Sequence, residues 1–166
     1  MNLTNRAVTL PLWAILYFVL GYFSHKFNGP FTAAGYIWLP AGVTVAAFML
    51  APMRRWLGLG LAFLVAQMLL GMVEGRDAFR MLLFSLDEIG FAALAVAVIH
   101  LTKFSLEGLA FLRGLLLAGV IASVGGAVIG AGWFWLFLDV PFWATAKVWA
   151  AAVFVGLLIV TPVFSG

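Results

Sequence analysis

Residues 81–101 read MLLFSLDEIGFAALAVAVIHL, an apolar run whose interior holds two adjacent carboxylates, Asp87 and Glu88. A helix that rises 1.5 Å per residue over this length crosses the roughly 30 Å hydrocarbon core of a bilayer. A charge at that depth costs about 2.5–3.5 kcal/mol even on the lenient insertion scale. The run therefore predicts a membrane-spanning helix in which something makes two carboxyl groups at bilayer depth tolerable.

The composition of the whole chain agrees with this interpretation. Of the 166 residues, 66% are hydrophobic and only 9% are charged, and the mean hydropathy is +1.17. A soluble domain of this size has too little interior to hide so much apolar surface, which excludes a cytosolic enzyme and a nucleic-acid-binding protein. The absence of cysteine excludes disulfides, thiolate metal sites and iron–sulfur clusters. The formal charge of +3 is the modest basic excess expected at a membrane edge.

Charges, prolines and glycines divide the chain into six apolar segments, and they predict an all-α, polytopic bundle of about six transmembrane helices. The fifth segment is longer than the ~20 residues that one straight crossing needs, and it contains four glycines, so a tilt, a kink or an early exit is expected. No linker or repeat is evident, so residues 1–166 are predicted to form a single integral-membrane domain. The segments are Ala7–Phe23, Thr32–Leu50, Trp56–Val73, Met81–Leu101, Leu109–Leu138 and Trp143–Val160.

The basic residues suggest an orientation. The adjacent pair Arg54-Arg55 in a short connection favours the cytoplasmic side for that end of the bundle. An even number of crossings then places both termini in the cytoplasm. Together with the hydropathy, this predicts a multi-pass membrane protein.

Adjacent helical positions point about 100° apart, so at most one of the two carboxylates faces the bundle centre squarely. The other is expected to reach a polar neighbour or the outer interface. For Glu88, a contact with a ligand, proton or ion and a protonated carboxyl hydrogen-bonded between helices are equally consistent with the sequence. For Asp87 the second interpretation is favoured.

Other polar and small residues have simpler explanations. Arg113 lies near the start of the fifth segment, where an arginine usually extends to the interface. His25 and His100 are candidate haem ligands, but the predicted topology places them at opposite membrane faces, so interfacial histidines are favoured. The spacing of Gly126 and Gly130 permits close helix approach, within the bundle or between two chains. No catalytic residue, metal site or resident cofactor is predicted, since neither a serine–histidine–acid arrangement nor a phosphate loop is present.

Several short motifs, taken in order, resemble the first-described MASE family of bacterial membrane-associated sensor domains. The ordered set covers about Phe31 to Pro162. The motifs are YIWLPAGV at 36–43, RRW at 54–56, FSLDEIG at 84–90, FLR at 111–113 followed by Gly125-Gly126, and Trp149 followed by GLLIVTP at 156–162.

The resemblance implies a sensory input domain whose signal reaches a cytoplasmic diguanylate cyclase of cyclic-di-GMP signalling, a phosphodiesterase or a histidine kinase. Catalysis would then belong to that output module and not to this chain. The family usually has an acidic residue shortly before the glycine of the last motif, and residues 151–155 contain none. Any role that depends on that acid is in doubt here.

With this resemblance, the observations predict a homodimeric sensor domain that lies in the lipid bilayer of a bacterial inner membrane, binds an unknown small molecule and does not bind nucleic acid. The residues predicted to line or shape its pocket are Glu88, Asp87, Trp38, Pro40, Arg113 and Trp149. The first alternative is the substrate-capture subunit of a vitamin-type uptake transporter, which has a similar size and number of spans. The second is a haem-binding redox sensor.

Overall fold

The computed structural model describes residues 3–28, 37–103 and 107–165, and within them all regular secondary structure is helical. The predicted all-α fold is confirmed. Six helices follow one another along the chain, and their bounds lie close to the predicted segments except in the second. They are α1 (Leu3–Asn28), α2 (Pro40–Leu50), α3 (Trp56–Val73), α4 (Ala78–Leu101), α5 (Gly108–Leu138) and α6 (Phe142–Ser165).

The helices alternate in direction, which brings the connections together at two ends of the bundle. At one end, called here the cavity end, His25 of α1 contacts Glu74 after α3, and Phe79 of α4 contacts Phe137 of α5. At the other end the Trp56 ring contacts His100. This up-and-down arrangement agrees with short connections between antiparallel neighbours.

Four of the described helices, α3 to α6, are long and apolar enough to cross a membrane. Helix α1 is 26 residues long. Large apolar side chains are widely exposed on the bundle surface; the exposed fraction is 77% for Leu57, 77% for Leu101 and 74% for Leu109. In water such a surface would drive aggregation, so the surrounding medium is lipid.

Helix α2 is the exception to the predicted spans. It begins at Pro40, whereas the second segment was predicted to begin at Thr32, which lies outside the described residues. Its 11 residues extend about 16 Å, roughly half of the hydrocarbon layer. Proline suits the first helical turn, because a backbone N–H at that position would have no carbonyl acceptor within the helix and proline has no N–H. At the other end of α2, Pro52 favours the extended conformation of Ala51, which ends the helix.

Because α2 is short, it is enclosed by its neighbours. All of its residues from Pro40 to Met49 are buried. Val43 and Phe48 form the centre of the core together with Phe63 of α3 and Leu157 of α6. The core of the bundle therefore lies around a half-length helix.

Helix α6 packs directly on the start of α2. A Cβ atom at Gly156 would lie 1.8 Å from the backbone oxygen of Trp38, and one at Gly42 would lie 2.4 Å from Cβ of Val160. The Trp38 N–H donates to the Ala152 carbonyl oxygen at 3.0 Å. Glycine is required at these two crossings because any side chain would meet backbone or a branched Cβ.

The glycine-rich fifth segment forms a 31-residue helix that is interrupted by a π-helical turn at Ile121–Gly125. A tilt, a kink or an early exit was expected in this segment, and the π-helical turn is the irregularity that the structure has there. Gly126 and Gly130 face Asp87 of α4, and a Cβ atom at Gly130 would also lie 2.5 Å from the Trp149 ring. The Gly126–Gly130 spacing is thus used for packing within the chain.

Candidate functional site

A cavity of about 820 Å³ opens at the cavity end of the bundle. This volume lies in the 300–1,000 Å³ range of small-molecule sites. Helix α6 supplies six of the eighteen described residues that line it, and α4 with the connection before it supplies another six. The lining residues are His25, Trp38, Gln67, Arg76, Asp77, Phe79, Arg80, Met81, Phe84, Phe134, Leu138, Val140, Ala144, Thr145, Val148, Trp149, Ala152 and Val153.

Aromatic rings form the inner wall of the cavity. Phe84 of α4 stacks on Trp149 of α6 with 5.1 Å between ring centroids, and both rings receive edge contacts, from Trp38 at 5.2 Å and from Phe134 at 5.2 Å. Such offset and edge-to-face pairs add about 0.5–1.5 kcal/mol each to the stabilisation from burial. The wall is therefore a rigid apolar surface that would suit an apolar ligand body.

Charged side chains surround the mouth. The Glu74 carboxylate accepts a hydrogen bond from Arg76 Nε at 2.8 Å and also contacts His25 Nδ1. The Asp77 carboxylate accepts the backbone N–H of Arg80 at 2.9 Å and so caps the N-terminus of α4. The Arg80 guanidinium forms no ion pair with any described residue.

His25 lies two residues beyond the predicted membrane-spanning segment of α1. Burial lowers the pKa of this imidazole, and the neighbouring Arg76 guanidinium lowers it further. The Glu74 carboxylate acts in the opposite direction, but Arg76 shares that carboxylate. The pKa of His25 is lowered overall, which favours the neutral imidazole.

A buried polar network lies beside the cavity and joins four helical regions. Trp38 Nε1 donates to Glu88 Oε1 at 2.9 Å, and Tyr17 Oη lies 2.6 Å from Glu88 Oε2 and 2.9 Å from Gln67 Oε1. Gln67 Nε2 donates to the Met81 sulfur at 3.2 Å. Trp38 and Gln67 line the cavity, whereas Glu88 and Tyr17 lie behind them. The network therefore supports two residues of the cavity wall.

Counting hydrogens in this network indicates which form of Glu88 completes it. A tyrosine hydroxyl has one hydrogen, so Tyr17 donates to only one of its two neighbours at a time. If Glu88 carries a proton on Oε2, it donates to Tyr17, and Tyr17 donates to Gln67 while Trp38 donates to Oε1. The three contacts can thus be hydrogen bonds together when Glu88 is a neutral carboxylic acid.

Asp87 differs sharply from its neighbour. It is only 2% exposed, and neither carboxyl oxygen has a hydrogen-bond partner among the described residues. Its Oδ2 atom faces Gly126 and Gly130 across a close helix contact, where Trp149 also lies. The sequence-based expectation that this side chain reaches a polar neighbour or the interface is therefore not met within the described structure.

The six predicted pocket residues occupy different places. Trp38 and Trp149 line the cavity. Glu88 contacts Trp38 from behind and, with Asp87 and Trp149, lines a separate cavity of only about 10 Å³, about the size of one water molecule. The other two do not line the large cavity: Pro40 is buried at the start of α2, and Arg113 is exposed on α5.

Most lining residues of the cavity were not predicted from sequence, among them Gln67, Arg80 and Phe84, and neither was Tyr17 behind the wall. Gln67 carried a detectable signal, because it is the only amide inside a predicted span. Tyr17 carried none, since a tyrosine in an apolar helix is indistinguishable from an ordinary core residue.

The two candidate haem ligands lie at opposite ends of the bundle. His25 packs on Trp38, before α2, and His100 packs on Trp56, after α2. The length of α2, about 16 Å, separates these contacts. The two imidazoles therefore cannot bind one iron within a single chain, and the described residues contain no group of three or more metal-binding side chains.

No protein-family model matches this sequence, and no curated protein or solved structure is significantly similar to it.

Proposed function

We propose that this chain is an integral-membrane sensory input domain that binds a small molecule in the large cavity and regulates a cytoplasmic signalling output. The output would be of the diguanylate cyclase, phosphodiesterase or histidine kinase type that the motif resemblance implies. In the proposed orientation the cavity end faces away from the cytoplasm of a bacterium, both termini lie in the cytoplasm, and the functional unit is a homodimer.

One observation supports this proposal above the others. Helix α6 provides a third of the described cavity lining, and the same helix runs to the opposite end of the bundle. A ligand against the stacked rings of Phe84 and Trp149 would contact α6 directly. Since α6 packs on α2 through Gly156, a change in its position must be accommodated along the whole contact.

The proposed mechanism is a shift between two packings of α6. A ligand changes such an equilibrium only by binding one packing more tightly than the other. A coupling of 1–3 kcal/mol, or about 5- to 150-fold, is typical between two sites. The stacked Phe84–Trp149 pair is where ligand occupancy would act on α6.

Filling the cavity tests the proposal. We expect Val148→Trp, on the cavity wall, to abolish retention of a small molecule in native mass spectrometry. In a fusion to a reporter output module it should also abolish the response to signal. The bulky indole would occupy the volume that the ligand needs.

Val155→Trp is the matched control, because Val155 is 36% exposed on the same helix and does not line the cavity. It should retain both ligand and response. If Val148→Trp folds normally and signals as well as the control does, this cavity is not the sensory site.

The alternative function favoured by the same cavity is substrate capture for an uptake transporter. Its opening at one end of the bundle, outward in the proposed orientation, is what a capture subunit requires. Such a subunit should copurify with an ATPase partner, whereas a sensor domain should copurify with a second copy of itself. Affinity purification from native membranes distinguishes the two.

A further inference from the structure

We propose that the ligand of the large cavity is an anionic amphiphile, whose acidic group binds Arg80 and whose apolar body lies against the aromatic wall. This inference rests on the proposed function, in that it takes the cavity to be a ligand site. It adds the chemical class of the ligand.

The charges at the mouth favour an anion. Of the acidic side chains there, Glu74 forms an ion pair with Arg76 and contacts His25, and Asp77 Oδ1 accepts the backbone N–H of Arg80 at the start of α4. The exposed Arg80 guanidinium lines the same mouth without an ion-pair partner among the described residues. Its five N–H donors form a planar fork that matches a carboxylate or phosphate.

The deeper polar groups of the cavity are also donors. Gln67 Oε1 lies at hydrogen-bond distance from Tyr17, whereas Gln67 Nε2 donates to the Met81 sulfur, which is a weak acceptor that a ligand oxygen could replace. Trp38 Nε1 already donates to Glu88. Away from the mouth, the side-chain acceptors among the described lining residues are the Thr145 hydroxyl, Gln67 Oε1, which is already at hydrogen-bond distance from Tyr17, and the weakly accepting Met81 sulfur. An amine or other cation would thus find few partners here.

The remaining wall is apolar and would contact the apolar body of the proposed ligand. Phe84, Phe134, Leu138 and Trp149 surround a volume of about 820 Å³ at the edge of the membrane. A carboxylate, phosphate or sulfonate attached to an alkyl chain or an aromatic ring meets both requirements. Such a molecule could come from the aqueous phase or from the surrounding lipid, and both sources share the same recognition chemistry.

The test measures quenching of tryptophan fluorescence in the intact chain, reconstituted in neutral phosphatidylcholine nanodiscs. The probes are 11-bromoundecanoate and 11-bromoundecanol, which differ in charge but not in chain length. Bromine quenches nearby indoles, and Trp38 and Trp149 line the cavity. We expect saturable quenching by the carboxylate at a concentration about tenfold lower than by the alcohol.

Substitutions at the mouth locate the anion site. Arg80→Gln should weaken carboxylate binding about tenfold, and Arg80→Lys should restore part of the affinity. Lys147→Gln is the matched control, since Lys147 is an exposed cation on α6 that does not line the cavity, and it should leave binding unchanged. Because Arg80 is exposed, its substitution should not alter folding.

Two further arms identify the source of the ligand, and either positive result supports the proposal. Competition by phosphatidylglycerol, lost in Arg80→Gln, indicates an anionic lipid. Saturable, Arg80-dependent binding of 4-phenylbutyrate in neutral lipid indicates a water-soluble acid.

Equal affinity for carboxylate and alcohol, or undiminished binding by Arg80→Gln, would overturn the anionic class. Binding that remains sensitive to Val148→Trp in that case would leave the proposed function standing. If no probe binds saturably and Val148→Trp also signals normally, both proposals fail.

Discussion

Gly156→Ala is expected to destabilise the folded bundle by about 3 kcal/mol, the upper part of the range for overpacked cores. The added Cβ would lie 1.8 Å from the backbone oxygen of Trp38 and 3.1 Å from the backbone nitrogen of Leu39. Backbone atoms cannot rotate away as a side-chain terminus can. Helices α2 and α6 would have to separate, and the hydrogen bond from Trp38 N–H to the Ala152 oxygen would lengthen or break.

The measurement is reversible unfolding in mixed micelles, with Gly90→Ala and Gly132→Ala as controls. Both control glycines lie inside helices, and a Cβ at either position would meet no atom within 4 Å. These variants should be more stable than the natural chain by about 0.5–1 kcal/mol, since alanine restricts the unfolded chain and favours helix. If Gly156→Ala were as stable as the controls, the contact between α2 and α6 would be looser than described.

The second large effect is expected at Glu88. Replacement by alanine should destabilise the fold by about 3 kcal/mol, because it removes the acceptor of Trp38 Nε1 and leaves a void beside Tyr17. Replacement by glutamine should change stability by less than about 1 kcal/mol. In Glu88→Gln the side-chain oxygen can accept from Trp38, the new NH₂ group can donate to Tyr17, and Tyr17 can donate to Gln67.

Asp87→Ala provides the matched control for Glu88→Ala, since it removes a carboxyl group from the adjacent position of the same helix. No described residue hydrogen-bonds to Asp87, so we expect unchanged or increased stability. Thermal unfolding followed by circular dichroism compares the three variants under identical conditions. Equal destabilisation by Glu88→Ala and Asp87→Ala would show that the network contributes nothing beyond the volume of its side chains.

Asp87 and Glu88 differ in ways that the sequence predicted only in part. The 100° between adjacent positions correctly required Asp87 and Glu88 to face different surroundings. It did not predict that both would be buried. Helix α4 contacts α2, α3 and α5, so two diverging side chains can both point into protein.

The predicted pocket shows the same limit. Trp38 and Trp149 line the cavity, but neither Glu88 nor Arg113 does, and Arg80, which forms no ion pair with a described residue, lies at its mouth. A carboxylate with a high free-energy cost of burial indicates that polar groups lie near it inside the membrane. It does not show whether a ligand can reach those groups, because access depends on how helices that are distant in sequence diverge.

The amino-acid sequence by itself determined the membrane environment, the all-α class and most helix bounds, because hydrophobic length, prolines and glycines act locally along the chain. Only the tertiary structure decided that α2 is a half-length helix, that Gly126 and Gly130 pack within the chain, and that Trp38 meets Gly156. These outcomes depend on contacts between residues more than a hundred positions apart or on different helices. Apolar segments of similar composition do not encode their partners in any local pattern, so the cavity between them is a property of the assembled bundle.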